Sequence, residues 1–354
     1  MPRKYGRRWV TLSRESGILV TACICVHNGA SRLPSVLDCL RGQKGLGDAE
    51  WEVVVVDNGS RDNTGDVARA TLREFPCRTQ VVKEDTLGLS HARRRGASVA
   101  GGDVLVYVDD DNLLAPDYLT ECMCFFREHP KAGVAGGRAV PLFHGCERPG
   151  YWESIRGLLA TNEDAGDEDS LKSAAGQYRS VPFGAGMAFR RSVLLDVYGS
   201  ETIVCSDRKG RNLAASGDLE LGCRAVRKGW EAWYCAALSL QHVIPARRLG
   251  VGYILRLQRS VGSSHALFQY AVVDGETYPP SVLRALKHVW WFTSNRLREG
   301  VRRALLPRTM AERLLRARSI GKLAFLLQLV GMAFRSVLFG RGGGTHSAGS
   351  EHKR

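Results

Sequence analysis

The sequence predicts an α/β protein built on a mostly parallel central sheet. Three observations carry this reading. Short apolar runs at 17–26, 51–57, 79–83 and 102–108 alternate with segments of helical spacing at 33–40, 64–75 and 87–100, the pattern of parallel strands joined by right-handed crossovers. The runs Val53-Val54-Val55-Val56 and Val104-Leu105-Val106-Tyr107-Val108 are apolar without a break, as strands covered on both faces must be. Several runs also end in polar turn formers: His27-Asn28-Gly29, Asp57-Asn58-Gly59, and Asp109-Asp110-Asp111. Open α/β sheets bind ligands at those strand ends.

Taken in order, the first strand leads through His27-Asn28-Gly29-Ala30 to Ser31, a good N-cap for the helix at 33–40. The loop after the second strand is rich in turn residues, and the helix at 87–100 carries Arg93, Arg94 and Arg95 in succession. Beyond the carboxylates, 117–129 reads as a helix and 131–138 as a Gly-rich strand. Residues 162–169 form an acidic loop expected to be mobile. Residues 181–190 enter a strand, 191–198 form a helix, and a further helix begins at 216–218. Short strands are expected at 230–236 and 239–243.

The chain has 354 residues, 44% hydrophobic and 24% charged, an ordinary globular composition. Its net charge of +14 is concentrated late, since residues 281–354 hold 15 Lys and Arg against 3 Asp and Glu. The expected organisation is a basic segment at 1–17, an α/β domain at 18–275, a helical, basic and amphipathic extension at 276–340, and a Gly/Ser-rich disordered tail at 341–354. Trp290, Trp291 and Phe292 lie among arginines, which reads as peripheral contact with an anionic membrane surface. No nucleic-acid-binding motif accompanies the charge, so no nucleic-acid partner is expected. The 322–340 stretch reads as a helix too short and polar to span, and no signal peptide is legible. Ten cysteines occur without a C-x-x-C pair, which favours buried, reduced thiols over zinc or disulfides. The expected location is the cytoplasm, at the inner face of the membrane.

Three consecutive carboxylates at a strand end repel one another, and a divalent cation relieves that repulsion. In extended chain, Asp109 and Asp111 face one way and Asp110 the other. His27, Asn28, Asp57 and the carboxylates share one rim, suited to a nucleotide whose phosphates reach a cation. Asp57 alone also reads as an Asx-turn residue. Gly184 and Gly186 permit close backbone approach, or a turn with positive φ. Arg247 and Arg248 have the donors to hold phosphate.

Val53 to Ser60 with Asp62, Gly88-Leu89-Ser90-His91-Ala92-Arg93, Val108-Asp109-Asp110-Asp111 with Pro116, Gly184-Ala185-Gly186-Met187, and Gly217-Asp218-Leu219-Glu220-Leu221 with Arg224 together resemble the family 2 glycosyltransferases, over about residues 18–260. The resemblance implies a GT-A fold and inverting transfer of a sugar from a nucleoside-diphosphate donor, most often a UDP-sugar. The acceptor would be a saccharide or lipid-linked molecule in polysaccharide or glycolipid assembly. It implies Mg2+ or Mn2+, with Asp109, Asp111 and His242 on the metal. The donor would lie against His27, Asn28, Asp57, Arg93, Asp109, Asp110 and Gly186. Asp218 would be the general base, with Glu220 as its rival, because Gly217 stands where the family carries a second carboxylate. That departure leaves a second reading open, a catalytically degenerate GT-A protein that binds nucleotide-sugar or a partner enzyme. A nucleotidyltransferase ranks third, since no Gly-rich basic loop follows the first strand.

Overall fold

The structure, a computed structural model, describes residues 19–46, 51–200, 202–205, 213, 215–274 and 309–338. Its strands are β1 (Val20–Val26), β2 (Trp51–Asp57), β3 (Arg78–Lys83), β4 (Val104–Asp109), β5 (Asn112–Leu114), β6 (Ala132–His144), β7 (Ser170–Ser173), β8 (Ala188–Arg190) and β9 (Glu231–Pro245). Its helices are α1 (Leu33–Arg41), α2 (Thr64–Leu72), α3 (Leu89–Val99), α4 (Tyr118–Glu128), α5 (Trp152–Ile155), α6 (Arg191–Ser200), α7 (Gly217–Arg227), α8 (Val251–Leu267) and α9 (Met310–Leu338). Among the described residues the strands make one sheet in the order β3-β2-β1-β4-β8-β6-β9-β5, with β7 paired to β9. β1 lies between β2 and β4, parallel to both, so the ends of the first, second and fourth strands share one rim, as expected. β8 runs antiparallel to β4 and β6, which makes the sheet mixed on that side.

Both faces of the sheet are covered, and the alternation of β1, β2 and β4 divides their side chains between two cores. Val20, Ala22, Ile24 and Val26 join Val53, Val55, Val104 and Val106 beneath α1 and α4, packed on Leu33, Leu37, Tyr118 and Phe126. Cys23, Val54, Val56, Leu105 and Tyr107 face the other way, against Ala92 and Ala97 of α3, Val193 and Val197 of α6, and Leu221 of α7. Burying each Val, Leu or Ile contributes about 1.5–3 kcal/mol, so the unbroken apolar runs are what hold the sheet between two helical layers. A third core gathers Trp152, Ile155 and Leu159 with Ile244, Leu249, Ile254, Leu257 and Leu314. It fixes α9 against α8 and closes one side of the strand-end rim.

The structure departs from the sequence expectations in four places. The strands expected at 230–236 and 239–243 are one strand, β9, whose pairing with β6 shifts register between Gly136 and Arg138. That irregularity interrupts the apolar alternation and reads in sequence as a break. The helix expected at 322–340 belongs to α9, which begins at Met310. The loop at 162–169 is tethered, because Arg138 donates to the carbonyl of Ala165 at 2.7 Å and to Asp167 at 2.5 Å, while Arg156 donates to Asp164. The short strands β5 and β7 had no sequence signal of their own. The basic segment 1–17, the Trp290-Trp291-Phe292 cluster and the tail at 341–354 lie outside the described residues.

Among the described residues, Cys23, Cys122, Cys205, Cys223 and Cys235 are buried. Burial pushes the thiols of Cys77 and Cys235 up to about 12 and that of Cys223 to about 11. At pH 8 a disulfide reagent should therefore leave these three unmodified in the native protein and label all ten cysteines in guanidinium. Rapid native labelling of Cys235, read by peptide mass spectrometry, would contradict the burial. Phe189, buried against Tyr107 with ring centroids 6.1 Å apart, should cost about 3–5 kcal/mol when replaced by Ala, measured by urea unfolding.

Candidate active site

A cavity of about 390 Å³ opens at the carboxyl ends of β1 and β4, roofed by α3, α7 and α8 and the turn after α5. Its polar side carries His27, Asn58, Arg93 and the three aspartates. Its apolar side carries Leu158, Leu159, Leu219, Leu257 and Val261. Asp218 lies between, on the first turn of α7. The cavity thus joins polar groups suited to a nucleoside diphosphate, one carboxylate near a helix N-terminus, and an apolar wall.

The rim is set by backbone pairing. His27 lies within 2.8 Å of the Asn58 carbonyl through Nδ1 and within 3.0 Å of the Asn28 amide nitrogen through Nε2. One neutral tautomer, with its proton on Nδ1, satisfies both contacts. Asn58 is buried and donates to the carbonyls of Glu84 and Thr86 while accepting from the Gly88 amide at 2.8 Å. It pins the loop that leads into α3. Sequence reasoning passed over Asn58 as a turn residue, and its three loop contacts exist only once β2 and α3 are side by side.

Each carboxylate of the triplet has an arginine from a different element. Asp109 lies 3.9 Å from Arg93 of α3. Arg93 is buried, with its guanidinium 5.4 Å from the centre of the Tyr107 ring. Arg94 and Arg95 are exposed, so the fold distinguishes three residues that the sequence left equivalent. Asp110 takes two hydrogen bonds from Arg32, at 3.0 and 2.5 Å, and it lines the same cavity as its two neighbours. Burial pushes the Asp110 carboxyl above its usual range against the pull of Arg32. Asp111 accepts from Arg248 at 2.8 Å and lies 3.5 Å from His242 Nε2. Strand β5 makes this last contact. Asn112 pairs with His242, and the Val243 amide donates to the Asp111 carbonyl at 2.8 Å.

Three residues expected at the donor lie outside the cavity lining. Asp57 is buried and its carboxylate accepts from the Ser60 amide at 3.2 Å, the contact of a turn-forming aspartate. Asn28, with φ 47°, accepts from the Arg61 amide at 2.8 Å and shapes the rim through the loop. Gly186 has φ 67°, and a Cβ there would stand 2.5 Å from Leu240. It fits beneath the sheet where no other residue could, and its carbonyl accepts from Tyr118 at 2.5 Å. Gly184 is the glycine that meets the site, since a Cβ on it would stand 2.5 Å from an Asp218 oxygen.

Glu220 and Asp218 part completely. Glu220 is wholly buried, paired with Arg224 at 2.6 Å and accepting from the amides of Val204 and Cys205. It anchors a chain segment beneath α7. Asp218 faces the cavity and accepts from the Leu219 amide at 3.0 Å. His265, which the sequence reading missed, also lines the cavity. Its spacing of four from Val261 and eight from Leu257 was the available signal. Burial, with Arg318 and Lys322 nearby, holds its imidazole below the usual range.

The metal expectation can be tested on geometry. Two carboxylates and an imidazole are suitable donors for Mn2+ or Mg2+ in kind. As placed, they do not gather. Among the described residues no three His, Cys, Asp or Glu side chains stand where one ion could bind them. The guanidinium of Arg248 is 2.8 Å from Asp111 and 3.2 Å from His242 Nε2, so it contacts both expected ligands.

The mixed sheet and the pocket at its strand ends define the class of fold, and comparison identifies the family. The family model for glycosyl transferase family 2 matches residues 21–197, and the chain belongs to that family. It has the GT-A fold, with helices added at its C-terminal end. The mannosyltransferase PcManGT from Pyrobaculum calidifontis, solved with GDP-Man and Mn2+, superposes with a TM-score of 0.54 at 20% identity, covering 95% of this chain and 92% of that one. A glucosyl-dolichyl phosphate glucuronosyltransferase of Haloferax volcanii is 26% identical over 156 residues, 42% of this chain and 45% of the relative. A PGL/p-HBAD biosynthesis glycosyltransferase of Mycobacterium bovis is 32% identical over 114 residues, 32% of this chain and 43% of the relative. The matches therefore span less than half the length of these two curated relatives.

Breaking the Glu220–Arg224 pair should show its structural role. Arg224→Ala removes the cation beside a buried carboxylate and should cost about 3–5 kcal/mol, whereas Asp218→Asn should leave the melting temperature within a degree or two of the parent, by a rough surface-substitution estimate. Equal destabilisation by both variants in a thermal melt would refute the division.

Proposed function

We propose that this glycosyltransferase inverts the anomeric centre as it moves a sugar from a nucleoside-diphosphate donor, a UDP-sugar first among candidates, to a hydroxyl of a saccharide or lipid-linked acceptor. The observation that carries the reading is the placement of Asp218. It is the carboxylate of α7 that faces the same cavity as His27, Arg93 and the aspartates. In this reading the nucleoside lies at the His27–Asn58 end, with Asn28 and Asp57 shaping the loop around it. Arg93, Asp109 and Asp110 with its Arg32 hold the ribose and diphosphate side. Asp218 takes the proton from the acceptor hydroxyl as its oxygen attacks the anomeric carbon, and the nucleoside diphosphate departs on the opposite side. A pre-placed base and a pre-placed diphosphate pocket hold the reacting atoms in line.

The Mg2+ or Mn2+ that the resemblance implies draws support from the Mn2+ in the Pyrobaculum complex. Within this chain an arginine contacts both expected ligands, so no step here runs through an ion. For Gly217, the missing second carboxylate does not by itself favour a degenerate protein, because Asp218 keeps its place at the cavity.

An amphiphilic acceptor agrees with the apolar wall formed by Leu158, Leu159, Leu257 and Val261. It also agrees with α9. Ile320, Leu323 and Leu327 are exposed in one stripe that continues through Arg313 and Arg316, the makeup of a helix that lies on an anionic bilayer. Among the described residues no helix is long and apolar enough to cross a membrane. In our reading the enzyme works at the cytoplasmic face of a membrane, and the exposed stripe of α9 is what supports that reading.

Two measurements test the proposal. Asp218→Asn should lower kcat by about 10²–10⁴-fold while leaving donor binding intact. Full activity in that variant would remove Asp218 as the base. In flotation with phosphatidylglycerol vesicles, the full chain should bind at low salt and the double variant Leu323→Asp, Leu327→Asp should not. Equal flotation would remove the α9 surface from the reading.

A further inference from the structure

The guanidinium at Asp111 has a consequence for how the donor is held. Arg248 ends the short turn Ala246–Arg248, between β9 and α8. It is 6% exposed, lines the cavity, and stands beside the Leu249, Ile254 and Leu257 core. Its Nη1 reaches Asp111 at 2.8 Å and approaches His242 Nε2 at 3.2 Å. Among the described residues, its Nε and the Nδ1 of His242 are buried without a hydrogen-bond partner. The protein thus carries a permanent cation where the family resemblance puts a metal, and leaves part of that cation's hydrogen-bonding capacity unspent.

Displacing it would be costly. A divalent ion on Asp111 and His242 would push a guanidinium away from its carboxylate and against an apolar core, next to a second positive charge. A guanidinium that stays needs no such rearrangement. Its planar fork can hold a carboxylate on one edge and a phosphate on the other.

We infer that Arg248 takes the part of the divalent cation in this enzyme, bridging Asp111 to the diphosphate of the donor, so that nucleotide binding is independent of added metal. His242 positions that guanidinium and is not a metal ligand. The inference rests on the nucleotide-sugar reading of the cavity, and the test separates the two.

The full chain is titrated calorimetrically with UDP and with GDP, in EDTA and in Mn2+, for the parent protein, Arg248→Ala and Arg248→Lys. Mn2+ binding without nucleotide is followed by electron paramagnetic resonance, and circular dichroism confirms each fold. The parent should bind one nucleotide with the same affinity, within about threefold, in EDTA and in Mn2+, and should take up no Mn2+ alone. Arg248→Ala should lose about thirtyfold in EDTA, the worth of a charge-assisted hydrogen bond. It should recover affinity in Mn2+ and bind the ion at the vacated Asp111–His242 pair. Arg248→Lys should keep metal-independent binding at reduced affinity. A parent that binds nucleotide at least about tenfold more tightly with Mn2+ than in EDTA overturns the inference and leaves the glycosyltransferase reading in place. A folded parent that binds neither nucleotide in either condition overturns the reading itself.

Discussion

Three like charges at the end of one buried strand must be neutralised, and the way this is done organises the site. Asp109, Asp110 and Asp111 each meet an arginine, from α3, from the turn before α1, and from the turn after β9 respectively. Separate segments of the chain are thereby bound to a single point at the sheet's edge. The two helical layers and the C-terminal half of the sheet all have a charged side chain in that cluster. Arg93 and Arg248 are buried, and for buried pairs the desolvation cost offsets much of the attraction. Their effect is on position: they decide where donors and acceptors stand around the cavity.

The register of β9 is the second constraint. Its shift against β6 keeps both strands in the sheet for their full length, and its last residues pair with β5. That pairing carries His242 to Asp111. The turn that follows carries Arg248 to the same carboxylate, and α8 then supplies the apolar wall. A slip of one residue would turn His242 to the opposite face and remove it from the site. The polar and apolar sides of the cavity are in this way consequences of one strand's alignment.

Much of the site was legible because its residues sit at the ends of recognisable elements. Asp109 and Asp111 follow an unbroken apolar strand, and Asp218 opens a helix after a glycine. These positions are fixed by local pattern, and the fold delivers them to the cavity as expected. Other expected residues lie outside the cavity lining, at positions where local chemistry is ambiguous. Asp57 and Gly186 have the right residue types for ligand contact, but each satisfies a turn, and the sequence offers no sign of which need prevails. Arg93 could not be told from Arg94 and Arg95 until α3 lay against Tyr107. Glu220 was a credible base until burial against Arg224 and two backbone amides gave it a different task.

The sequence by itself determined the alternation of strands and helices, the parallel half of the sheet and the rim at its strand ends, because these depend on the period of apolar residues. It also carried enough ordered motifs to indicate the family. The tertiary structure alone decided what faces the carboxylates. Arg32, Arg93 and Arg248 are distant from them along the chain, and β5 is too short to announce itself. Charge pairing across such distances depends on register and packing, which no local pattern encodes.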